Sequence, residues 1–266
     1  KNAYDLGTPF VVSCIVQFFA IVLLEMLDHI VPYMKTVCES YARGVPLMLE
    51  GELGAGQSEI AKRLYLDGPY ADEPFVSVVL DELTDRGWRH LLKSSESPLF
   101  QARLTLCIGG WHALSPQRLR ELASTMTDTA LAARCHVVLT ANDMPGGGES
   151  DQAAFVTERL ACAVSVAPAI AEQGGASKKV AQYLTYLSDV FGTAAPSMSE
   201  EAASTFNGYR WPRNYLQLRE VSERLYILVG SGVAERAVAE EVLAQEDVIK
   251  TATFGAPTLD SDLYIL

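Results

Sequence analysis

A short apolar strand, a glycine-rich octapeptide and an amphipathic helix follow one another without a break between Val45 and Leu66, and that order admits few folds. Val45-Pro46-Leu47-Met48-Leu49 reads as a buried strand. Gly51-Glu52-Leu53-Gly54-Ala55-Gly56-Gln57-Ser58 comes next, and Ser58 to Leu66 then carries Ile60, Ala61 and Leu64 at helical spacing. The octapeptide has the glycine spacing of G-x-x-x-x-G-K-[ST]. In that motif backbone N–H groups wrap phosphates, the lysine neutralises them and the hydroxyl binds Mg²⁺. Gln57 stands at the lysine position, so it can hydrogen-bond a phosphate but adds no charge. An isolated loop of this kind without its lysine is more often a plain glycine-rich turn; the strand before it and the helix after it make it a phosphate-loop reading.

The alternation continues down the chain. Phe75–Leu80, Leu104–Ile108, His136–Thr140 and Val164–Val166 are short apolar runs rich in β-branched residues, and Pro116–Met126 has helical periodicity. Near-continuous apolar strands separated by helices imply a parallel sheet covered on both faces. Upstream, Met26–Tyr41 is helical, with Pro32 inside it and Gly44 stopping it. Past Gly174-Gly175 the pattern changes to helices only, over Ser177–Phe191, Ser199–Asn207, Asn214–Val229 and Val233–Gln245. The expected organisation is an α/β subdomain over 1–175, an all-helical one over 176–250 and a linker over 251–266.

Composition excludes several functions. With 266 residues, 49% hydrophobic and 20% charged, the chain is an ordinary globular one, and its net charge of −12 argues against gripping a nucleic-acid backbone. The five cysteines form no C-x-x-C pair and the four histidines no ligand spacing, which reads as free thiols in a reducing cytoplasm and structural histidines. Phe10–Leu24 is almost wholly apolar, yet shorter than the roughly 18 residues a membrane span needs. It lacks the pattern of a signal peptide as well, so a cytoplasmic chain without a membrane partner is expected.

Order and spacing of motifs resemble the AAA+ central domain of bacterial sigma-54-dependent, NtrC-like transcription activators over nearly the whole chain, from about Phe18 to Leu266. Phe19-Ala20-Ile21-Val22 resembles the adenine-side entry segment, with Leu23 where the family has glycine. Pro46 to Glu52 resembles the strand leading into G-E-x-G-T-G-K-E. Thr105-Leu106-Cys107-Ile108 resembles the strand that ends in Asp-Glu, where this chain has Gly109 and Gly110. Thr140-Ala141-Asn142 resembles the polar sensor, and Phe155 to Leu160 the arginine-finger helix, with Val156 in place of one arginine and Arg159 keeping the other. Trp211-Pro212-Arg213-Asn214-Tyr215-Leu216-Gln217-Leu218 resembles W-P-G-N-V-R-E-L, with Leu216 at the second sensor arginine's place. The sigma-contacting G-A-F-T-G-A loop would fall between Pro74 and Leu104, where nothing like it occurs, which counts against a sigma-54 contact. Pro257 to Leu263 resembles the linker before the family's helix-turn-helix, so DNA contact is expected only through a domain outside this chain.

The resemblance implies an AAA+ P-loop sheet flanked by helices and followed by a small helical lid. It implies ATP or ADP at Gly51, Gly54, Ala55, Gly56, Gln57 and Ser58, held weakly if at all, with Mg²⁺ entering only alongside nucleotide and Ser58 as its ligand. Asn142 and Arg159 are the candidate catalytic residues. Asn142 could equally cap a strand end, Arg159 could be a surface arginine, Glu52 a solvated loop acid and Trp211 a core anchor of the lid. Phosphoryl transfer rests on positioning and charge stabilisation, and this chain lacks the lysine and both metal acids. The leading expectation is therefore a pseudo-ATPase serving assembly or signal relay, with self-association as the family partner. The alternatives are a working ATPase that substitutes Glu52 or Asp143 near the γ-phosphate, and a nucleotide-free scaffold whose cleft is closed by side chains such as Leu23.

Overall fold

A computed structural model describes residues 31–111, 114–143 and 149–253. The apolar run Phe10–Leu24, the first residues of the helix expected from Met26, and the segment resembling a linker at Pro257–Leu263 lie outside the described residues.

Five strands form one parallel sheet: β1 (Leu47–Glu52), β2 (Phe75–Val79), β3 (Thr105–Gly109), β4 (His136–Asp143) and β5 (Ala163–Ala167), ordered β2-β3-β4-β1-β5. Along β1 the side chains alternate between two cores. Leu47 and Leu49 join the cluster on one face, and Met48 joins the cluster on the other. All three are essentially solvent-free, as the continuous apolar run requires of a strand buried on both sides.

Helix α1 (Val31–Ala42) and helix α2 (Gln57–Asp67) contribute Val37, Tyr41, Ile60 and Leu64 to the first core. Helices α3 (Asp85–Lys93), α4 (Pro116–Asp128), α5 (Leu131–Arg134) and α6 (Glu149–Leu160) pack on the second. Side-chain caps start two of them: Thr84 accepts from Gly87 N–H and Ser115 from Arg118 N–H, with Pro116 at the first helical position. The short α7 (Ile170–Gln173) follows β5.

The remaining helices are α8 (Ala176–Phe191), α9 (Glu200–Gly208), α10 (Asn214–Val229) and α11 (Arg236–Thr253). Trp211 is fully buried among them. Its indole N–H donates to Phe206 O at 2.9 Å, as a lid anchor should. The expectation of helices alone needs one correction: Ser197–Met198 (β6) and Val233–Ala234 (β7) form a two-stranded parallel ribbon. Two-residue strands leave no periodicity to read. These helices also share their core with the α1/α2 face of the sheet, so Val180, Leu184, Phe206 and Leu218 fall in one cluster with Leu47 and Ile60. Among the described residues no helix is long and apolar enough to cross a membrane.

Candidate functional site: a glycine-loop cleft

Parallel pairing places the carboxyl ends of β1, β3 and β4 side by side. Gly51 lies opposite Asn142, and Ile108 opposite Leu139, so the glycine loop, Gly109-Gly110 and Asn142 gather at one edge of the sheet. Ligands of open α/β sheets bind at this edge. Two cavities of about 200 and 300 Å³ lie along the loop there. Leu53, Gln57, Ser58 and Asn142 line both.

The loop backbone is built for this path. Gly54 and Gly56 adopt left-handed conformations, φ 76° and 91°, which side chains other than glycine's tolerate poorly. Gly56 ends the loop and α2 begins at Gln57 with no side chain capping it, which leaves the helix N-terminus to attract an anion. Ser58 is exposed in the first turn. Ala55, by contrast, is buried and its N–H donates to Glu52 O at 3.0 Å, so that group belongs to the turn and not to a phosphate cradle.

Gln57, expected from the sequence to be able to hydrogen-bond a phosphate, turns its amide to the protein's own oxygens. It is 5% exposed, and Nε2 donates to Glu52 O (3.2 Å), Ala141 O (3.3 Å) and Asn142 Oδ1 (3.5 Å). Three oxygens around one nitrogen suit a cation; here a neutral amide occupies the position. Gly109 and Gly110 are equally telling. A Cβ on Gly109 would come 2.5 Å from Thr140 Oγ1, and one on Gly110 (φ 77°) would come 2.0 Å from Asp81 Oδ1. Neighbouring polar side chains fill the space that acids at these positions would need.

The lid seals the far side of the loop. Tyr215 N–H donates to Gly54 O (3.0 Å), and Asn214 Nδ2 donates to Leu53 O (3.2 Å) and to the Glu52 carboxylate (3.1 Å). Asn214 Oδ1 in turn accepts from Ile170 N–H at 2.7 Å. Glu52 is exposed, as expected of a loop acid, yet it has a partner that the sequence does not reveal, because Asn214 is 162 residues away along the chain. Arg213 O lies 2.3 Å from where a Gly54 Cβ would sit, and Leu216 lines the smaller cavity.

Of the two candidate catalytic residues, Asn142 reaches the cleft and Arg159 does not line it. The Arg159 guanidinium lies over the Phe155 ring, 4.2 Å from its centroid, on its own helix. Val156 is completely buried, which explains an apolar residue there. The residue that sequence reasoning missed is Asp81, on the 3₁₀ turn Leu80–Glu82 that follows β2, and it lines the larger cavity. Its signal was present as an acid two residues past a strand end, but only the sheet order brings that strand end beside Gly110. Among the described residues the cysteines are free: Cys107, in the wall of the larger cavity, and Cys135 are buried, and burial pushes the Cys107 thiol up to about 12.

No protein-family model and no curated protein sequence matches this chain. Solved structures do. The chain is similar to NtrX from Brucella abortus in complex with ADP, at 15% identity and TM-score 0.65, over 86% of this chain and 62% of that one. It is similar to the ATP complex of the same protein at 16% identity and TM-score 0.64, over 96% and 64%. The RuvB Holliday junction branch migration motor of Thermotoga maritima matches at 12% identity and TM-score 0.50, over 80% and 68%. The chain spans between 51% and 64% of the length of the NtrX chains. At such identities the likeness establishes the fold: a five-stranded parallel sheet flanked by helices with a helical region after it, the AAA+ architecture expected from the sequence.

Proposed function

We propose that this chain is the AAA+ domain of an NtrX-like transcription regulator, one that takes up a nucleoside triphosphate or diphosphate weakly at Gly54, Gly56 and Ser58, hydrolyses it little, and serves assembly or signal relay. The observation that carries this reading is the charge of the cleft. Among the described residues lining the two cavities there is no lysine or arginine, and the ionisable carboxylates there are Glu59 and Asp81. A triphosphate therefore meets helix-terminal N–H groups but no side-chain cation, and Gln57 is already committed to three oxygens. Phosphoryl transfer requires charge stabilisation that this set does not supply.

The uncapped start of α2 and the open space beside it support binding, and the NtrX structures with ADP and ATP favour the same ligand class. A scaffold with a closed cleft is the less favoured reading, since among the described residues, which do not include Leu23, both cavities are open beside the loop. The test is calorimetric titration with ATP and Mg²⁺ together with a phosphate-release assay. Weak binding with negligible turnover is expected; turnover of roughly 1 s⁻¹ or faster overturns the reading.

A further inference from the structure

The exchange between Gly110 and Asp81 has a chemical meaning. A carboxylate is absent at the end of β3, and a carboxylate from the neighbouring β2 end stands on the position that the absent side chain would start from. The two residues are complementary: Gly110 is left-handed at φ 77°, and any Cβ there would collide with Asp81 Oδ1 and with Asp81 N at 2.9 Å. Leu80, buried, anchors the turn from which Asp81 projects, and Val79 pairs with Gly109 in the sheet. Asp81 and the Ser58 hydroxyl line the same cavity of about 300 Å³.

We propose that Asp81 is the carboxylate that receives the Mg²⁺ of a nucleoside triphosphate bound at the glycine loop, replacing the acids absent at Gly109 and Gly110. The inference rests on the nucleotide reading above. The donor set fits the ion: Mg²⁺ keeps several waters and needs only one or two carboxylates beside the phosphates. No group of three or more metal-binding side chains exists among the described residues, so the ion has no site of its own and arrives with the phosphates. With no lysine or arginine among the described residues that line the cleft, the metal is also the counter-charge that lets a triphosphate lie beside Asp81 and Glu59.

The experiment measures ATP affinity calorimetrically at fixed ionic strength, with Mg²⁺ and with EDTA, for this chain and for Asp81→Asn and Glu82→Gln. The readout is the ratio of the two dissociation constants. This chain and Glu82→Gln should bind about tenfold or more tightly with Mg²⁺, and Asp81→Asn should lose that gain while binding ATP in EDTA at least as well. Asp81 is exposed, and a thermal melt of the asparagine variant checks that its fold is kept. Gly110→Ala, which pushes the carboxylate aside, should reproduce the loss. An undiminished Mg²⁺ gain in Asp81→Asn overturns the inference, as does ATP binding without any Mg²⁺ gain in the parent chain. Absence of ATP binding under both conditions overturns the nucleotide reading and this inference with it.

Discussion

Gln57→Lys tests the cleft most directly. The three oxygens at 3.2, 3.3 and 3.5 Å from Gln57 Nε2 form a cage that a lysine ammonium, with three donors to the amide's two, fills more completely. A unit charge about 4 Å from a phosphate oxygen is worth about 4 kcal/mol at an effective dielectric constant near 20. Taking the ammonium from water into a position only 5% exposed opposes this. The net gain should resemble that of a charged hydrogen bond, about 1.5–3 kcal/mol, or roughly 10- to 150-fold in affinity. Calorimetry with ATP and Mg²⁺ measures it. Phosphate release should stay far below 1 s⁻¹, because Asp81 is proposed only to receive the metal and Gly109 and Gly110 still offer no group to orient the attacking water. An affinity change of less than about threefold would refute the argument that the missing charge limits binding, and a large gain in turnover would show that the acids were not needed.

Asn214→Ala should cost about 2–5 kcal/mol, read as a lower urea midpoint at unchanged slope, because Ile170 N–H and Leu53 O both lose their partner and asparagine suits the φ of 44°; a cost below about 1 kcal/mol would show that water replaces both bonds. Glu246→Gln removes a fully buried carboxylate that pairs with Arg213 and Arg224, and should cost about 3–5 kcal/mol in the same assay. A neutral result would mean that Glu220 alone satisfies Arg213. Burial lowers the His136 imidazole from 6.5, with Glu73 pulling partly back, so the unfolded chain takes up the proton first and stability falls as pH drops below about 6.5. His136→Phe, which can keep the stack on Tyr70, should flatten that slope between pH 7.5 and 5; equal slopes in both proteins would sink the assignment.

The sheet was legible in sequence because its central strands β1, β3 and β4 are buried on both faces, where apolar runs such as His136–Thr140 stand out from any background, whereas the edge strands β2 and β5 are only partly covered and leave Val79, Val164 and Val166 exposed. Helix α3 escaped notice because nine residues with only Trp88 and Leu91 buried carry too little periodicity. The site was legible at the glycine loop, whose chemistry is local. It was not legible at Asp81 or Asn214, because each acts on a residue distant in sequence. Sheet order brings Asp81 to Gly110, and packing of α10 brings Asn214 to Leu53. Gln57 illustrates a third limit. Its identity was plain, but its direction depended on carbonyls that only β4 supplies.

Arg213 joins two parts of the molecule with almost no slack. Its carbonyl oxygen fills the place of the Gly54 Cβ, while its guanidinium holds Glu220 at 2.6 Å and grips Glu246 on α11. The segment works as a short crank with the loop at one end and the last described helix at the other. A ligand that pries the loop open must turn α11 or break its ion pairs. By the same linkage, whatever pulls on α11 changes the loop's affinity by an equal free energy. Tension on that helix would then set how well the cleft fills.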